Sequence, residues 1–141
     1  MRFLAIFTGL CVLVLVILLE TDVQAGAKKM KFNGEWKGSV ADETLQKDAP
    51  ECITNAPAFA KLWKAWKIEA KLPMIDFEKE LVVLSTSRGS LLNLTATLND
   101  NGDLQVIGFG TRDLRPGFRY VVASVSRDGV KTVNKKELPK E

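Results

Sequence analysis

Histidine is absent from this 141-residue chain. Without it there is no Ser-His-Asp or Cys-His nucleophile, no imidazole acid–base group and no His-bearing zinc site. Cysteine is nearly as scarce. Of the two present, Cys11 lies inside a long apolar run near the N-terminus and Cys52 stands alone in the remainder. If that run is removed no internal disulfide can form, and Cys52 is expected as a half-buried or exposed free thiol. Tyrosine occurs once, at Tyr120, and the net charge is only +3. So small an excess of base, spread along the chain, argues against a nucleic-acid partner. The chemistry left to an enzyme is that of carboxylates, lysines and arginines, and none of these stands in a recognisable catalytic spacing. No cofactor or metal is expected.

The N-terminus carries the clearest signal. Met1-Arg2 is a minimal positive end, Phe3–Leu19 is almost wholly apolar, and Glu20-Thr21-Asp22 leads to the small-x-small step Val23-Gln24-Ala25. This order predicts a signal peptide over residues 1–25, cut after Ala25, and a secreted or periplasmic product. The alternative is an uncleaved anchor over residues 3–19: as a helix at about 1.5 Å per residue the run reaches roughly 25 Å, a little short of the roughly 30 Å hydrocarbon core. Membrane contact is expected only in that case. Thr8-Gly9-Leu10 ahead of Cys11 is a poor lipidation signal. Losing residues 1–25 removes Arg2, Glu20 and Asp22 and leaves 116 residues of net charge +4, enough for one core and one domain. Residues 26–33 (GAKKMKFN) read as a basic flexible lead-in, and residues 34–141 as a single domain.

Within that domain one helix is evident. Thr54 or Asn55 can cap it, Pro57 suits its first turn, and Phe59, Leu62, Trp63 and Trp66 fall on one face at i, i+3, i+4, i+7; Pro73 bars its continuation. The period elsewhere is extended. Glu35–Val40, Leu81–Ser87, Leu91–Leu98, Leu104–Phe109, Phe118–Val125 and a short Val130–Val133 read as strands. Asp100-Asn101-Gly102-Asp103 and Arg127-Asp128-Gly129 carry Asn-Gly and Asp-Gly steps and are predicted as hairpin turns. The expectation is an α+β domain: an antiparallel β-meander of four to six strands, as a two-layer or partly closed sheet, with one amphipathic helix packed on it. Trp63, Trp66, Phe59 and Phe77 are the expected core aromatics, rather than a ligand-binding face.

The order Ile53-Thr54-Asn55, Phe59, Leu62-Trp63, Leu72-Pro73, Ile75-Asp76-Phe77, Lys79 and Leu81-Val82-Val83 resembles the PrcB-like family of exported bacterial proteins over about residues 53–89. In that family a tryptophan-bearing helix precedes a proline, an Asp-Phe pair and the first core strand. Arg88-Gly89-Ser90-Leu91-Leu92 stands here where a Gly-Gly-Tyr-like step is usual, and Arg115–Tyr120 also diverges. The resemblance implies a non-catalytic accessory subunit of an extracytoplasmic protein complex, with a protein partner at the cell envelope.

Four features bear on a site. Arg112, Arg115 and Arg119 cluster around Pro116-Gly117 and form the candidate recognition loop, suited to a carboxylate, a phosphate or a lipid headgroup. Asp76, Glu78 and Glu80 offer carboxylates for a small hydrolase or lyase, the alternative to a binding module; with Glu78 and Glu80 continuing the strand they share a solvated face. Asp100, Asn101 and Asp103 lack the acid at Thr97 and the bidentate Glu at Gly108 that an EF-hand register needs, and read as a plain hairpin. Asn93-Leu94-Thr95 is a glycosylation sequon, relevant only in a eukaryote.

Overall fold

Two runs of the chain, Leu81–Leu84 and Tyr120–Val125, are almost free of charge and alternation, the pattern of strands covered on both faces. In the computed structural model, which describes residues 27–140, they lie side by side at the centre of a sheet. The elements in chain order are β1 (Lys28–Lys29), β2 (Gly34–Val40), β3 (Cys52–Ile53), α1 (Ala56–Ala65), β4 (Glu80–Ser87), β5 (Leu92–Leu98), β6 (Asp103–Gly110), β7 (Phe118–Ser126), β8 (Thr132–Val133) and β9 (Lys136–Glu137), with a short 3-10 helix at Glu43–Asp48. One sheet runs β2-β7-β4-β3 and the other β1-β5-β6-β8-β9. The chain is thus α+β, built mainly from two largely antiparallel sheets that do not close into a barrel.

Alternate residues of β4 and β7 serve two cores. Leu81, Val83, Val121, Ala123 and Val125 meet Leu92, Leu94, Ala96 and Leu104 of the second sheet. Val82, Leu84, Phe118, Tyr120 and Val122 face the other way, onto Phe59, Leu62, Trp63 and Trp66. The order of layers is therefore helix, sheet, sheet. Phe59, Trp63 and Trp66 are buried, and Phe77 is partly buried with its ring centroid 5.9 Å from that of Phe59. Each of the three buried side chains contributes about 1.5–3 kcal/mol by leaving water, and Phe77 less. Both cores are assembled from residues 30–138, so this stretch carries the fold.

Local chemistry sets the ends of α1. Asn55 is the N-cap, its side chain accepting from Ala58 N–H (2.8 Å), and Pro57 sits in the first turn where no helical N–H is needed. The helix stops well before Pro73. Lys67 adopts a left-handed conformation (φ 52°), with Lys67 N–H donating to Lys64 O (3.1 Å) and Ile68 N–H to Trp63 O (3.1 Å), a Schellman ending without the usual glycine. Trp63 Nε1–H then donates to Ala70 O (2.7 Å), tying down the segment that follows.

Several expectations change. The expected flexible lead-in over residues 26–33 is not loose over its described part: Lys28 and Lys29 pair with Leu98 and Thr97, Met30 N–H donates to Ala96 O (2.8 Å), and Met30 and Phe32 pack against the core between the sheets. The alternation Lys29-Met30-Lys31-Phe32 is the signal for this. The strand order also departs from a simple meander, because β7 inserts between β2 and β4. Arg127–Gly129 is not a hairpin turn. It carries the chain from one sheet to the other, where β8 pairs parallel with β6, since Val130 and Val133 are needed in the shared core. The Asn101-Gly102 turn does close the β5–β6 hairpin, with Asn99 N–H donating to Asp103 O (2.9 Å) and Gly102 N–H to Asn99 O (3.0 Å). Its Asp103 is buried and accepts from Thr132 Oγ1 (2.7 Å) and Lys135 N–H (2.7 Å). Cys52 is buried rather than half-exposed, and burial pushes its thiol up to about 11. The expected signal peptide over residues 1–25 lies outside the described residues. Among those described, no helix is long and apolar enough to cross a membrane.

Candidate recognition site

The β4–β5 loop (residues 88–91) and the β6–β7 loop (residues 111–117) lie at one end of the two sheets and are tied to each other. Thr111 N–H donates to Leu91 O (3.1 Å), Leu91 N–H to Thr111 Oγ1 (3.1 Å), and Arg115 N–H to Arg88 O (2.9 Å). Asp113 is the centre of the tie. It accepts from Thr111 Oγ1, from the N–H and Oγ of Ser90 (3.0 and 3.1 Å), and from Arg115 Nε (3.1 Å). These hydrogen bonds, that of Thr111 foremost, hold its carboxyl well below the usual carboxylate range. At the far side of the loop Gly117 has φ 69°, and a Cβ there would overlap Val40 O, so only glycine lets the chain re-enter β7.

The three arginines read from the sequence do not act alike. Arg112 is exposed on the loop and makes no ion pair among the described residues. Arg115 is exposed and pairs with Asp113. Arg119 is not a loop residue. It lies within β7 opposite Ser39 and Ser87, on the face of Val121 and Ala123, where its Nη2 donates to Pro116 O (2.6 Å) and its Nε is buried with no hydrogen-bond partner among the described residues. Its guanidinium braces the loop from inside.

Other members of this end escaped the sequence reading. Arg88 joins it, paired with Glu43 at 2.7 Å. So do exposed apolar side chains: Leu114 (76% exposed), Leu91 (66%) and Phe109 (57%). Leu91 and Phe109 stand on the outer face of the β5–β6 sheet, because Leu92 and Leu94 take the inner one. Two signals were there to find: Leu114 sits among charges in Arg112-Asp113-Leu114-Arg115, and Leu91 breaks the alternation before Leu92.

No protein-family model, curated protein or solved structure matches the chain.

The carboxylate alternative is placed differently from its expectation. β4 starts at Glu80, and Phe77–Lys79 form a turn closed by Lys79 N–H and Glu80 N–H on Asp76 O (3.0 and 2.8 Å), so Glu78 and Glu80 do not share a strand face. Asp76 Oδ1 accepts from Glu78 N–H (3.1 Å) and Glu80 from Asn33 Nδ2 (2.6 Å). Asp76 and Glu78 line an open cleft of about 670 Å³ beside the start of α1, together with Arg127, whose Nη1 donates to Phe77 O (2.6 Å). Among the described residues no three of His, Cys, Asp or Glu converge as metal ligands would.

Proposed function

We propose that this protein is an exported, non-enzymatic binding and accessory module that docks onto another component of the cell envelope through the end formed by Leu91, Phe109, Arg112, Leu114 and Arg115. The observation that carries the reading is the cross-tying of the two loops around Asp113. Exposed leucines on a slack loop would collapse onto the surface, whereas here hydrogen bonds from both loops hold the backbone that presents them. The absence of histidine and the resemblance of residues 53–89 to the PrcB-like family favour an accessory role over catalysis. Cleavage after Ala25 would release the domain, and mass spectrometry of the mature protein distinguishes a start at Gly26 from an anchored start at Met1.

Affinity capture from envelope fractions tests the reading. The wild-type domain should be retained by its envelope component, and a Leu91→Ser, Leu114→Ser double variant of unchanged melting temperature should lose that retention. Equal behaviour of the two, or no retention of either, would overturn it.

A further inference from the structure

Resting on that reading, we infer that the component met by this end is the surface of an anionic lipid bilayer. The charge balance comes first. Arg88, Arg112, Arg115 and the inward-turned Arg119 stand at this end against Asp42, Glu43 and Asp113, a local excess of +1. Arg112 and Arg115 flank the exposed Leu114 in the chain, Arg115 paired with Asp113 and Arg112 making no ion pair among the described residues. A guanidinium matches phosphate oxygens in a bidentate fork.

Shape points the same way. Leu114 and Leu91, 76% and 66% exposed, project from the molecule, whereas residues lining a groove for a peptide would be partly walled in. Phe109 at 57% and Ile107 at 40% continue the apolar strip down the outer face of β6, opposite Asn93 and Thr95. An exposed apolar tip with arginines on the same loops suits the headgroup boundary of a bilayer, where leucine side chains enter about 5–10 Å and cations stay at the phosphates. Few anchors of this kind give weak, reversible and salt-sensitive attachment.

The first strand lies away from this surface. β1 pairs with Thr97 and Leu98, at one end of β5, while the Arg88–Leu91 loop enters at the other, roughly 20 Å away at about 3.3 Å per residue.

Co-sedimentation of the chain from Gly26 with vesicles tests the inference, using phosphatidylcholine alone and phosphatidylcholine with an equal part of phosphatidylglycerol. Wild type should sediment with the mixed vesicles, weaken as salt rises, and stay in solution with phosphatidylcholine alone. Arg112→Glu, and separately Leu114→Ser with Leu91→Ser, should each weaken binding about tenfold or more. Met74→Ser, at an exposed methionine in the linker after α1, should change nothing. All of these positions are exposed, and an unchanged melting temperature confirms folding. Equal binding to both vesicle types, or tip variants that bind like wild type, would overturn the inference. Failure on vesicles combined with tip-dependent capture from envelope fractions would overturn the lipid assignment alone and make the component a protein; failure in both assays would remove the docking reading with it.

Discussion

Three residues show how one backbone angle or one buried atom sets local behaviour. Lys67 holds a left-handed conformation at φ 52°, which costs a side-chain-bearing residue about 1–2 kcal/mol, partly offset in the reverse substitution by the greater unfolded freedom of glycine. Lys67→Gly should therefore raise stability by about 0.5–1 kcal/mol, measured by chemical denaturation. Gly117 is the opposite case: Gly117→Ala meets both a positive φ and Val40 O, and should lose about 1–3 kcal/mol. Cys52 links stability to pH. Its thiol titrates near 9.0 when solvated and at about 11 when buried, so the unfolded chain releases its proton first. The stabilisation is complete below pH 9.0 and is lost as pH rises toward 11, by up to about 2–3 kcal/mol. Denaturation of wild type and Cys52→Ala across that window should show a fall in wild type that the variant lacks.

Among the elements, α1 depends most on a single side chain. Trp63 packs edge-on to Phe59 and Trp36, with ring centroids 5.3 and 6.1 Å away, and also holds Ala70 O. Trp63→Ala should cost about 3–5 kcal/mol and lower the melting temperature sharply. The paired loops make a different kind of unit, held by hydrogen bonds at the surface. Because the folded state depresses the Asp113 carboxyl from 3.8, its contribution is present above that pH and disappears as pH falls through the acid range. Asp113→Ala should leave the melting temperature nearly unchanged while amide exchange at Ser90 and Arg115 quickens, as measured by NMR. An unchanged exchange rate would mean that the loops hold without it.

For the whole molecule, the stretch from Lys28 to Phe32 decides whether the space between the sheets is closed at the outer edge of β5. Met30 and Phe32 are partly buried against that core, so Phe32→Ala should cost about 1–3 kcal/mol in thermal or chemical melts. A flexible lead-in would predict no effect.

Much of this arrangement was legible in the chain, because period and turn chemistry act over a few residues. The face Phe59, Leu62, Trp63, Trp66, the Asn55 cap, the Asn101-Gly102 hairpin and the both-sided apolar runs of β4 and β7 are local patterns, and they determined an α+β domain with one packed helix. What local pattern could not determine was which strands would be neighbours. The placing of β7 between β2 and β4, the parallel pairing of β8 with β6, and the docking of Lys28-Lys29 onto β5 follow from burying apolar faces that lie far apart in sequence. The recognition end shows the same division. Arg112 and Arg115 stand out in any reading of the chain, but their grouping with Arg88, Leu91 and Phe109, and the turning inward of Arg119, exist only once the β4–β5 and β6–β7 loops meet over Asp113. Sequence determined which side chains are charged or apolar; tertiary structure decided which of them share a surface, because that depends on contacts between residues more than twenty positions apart.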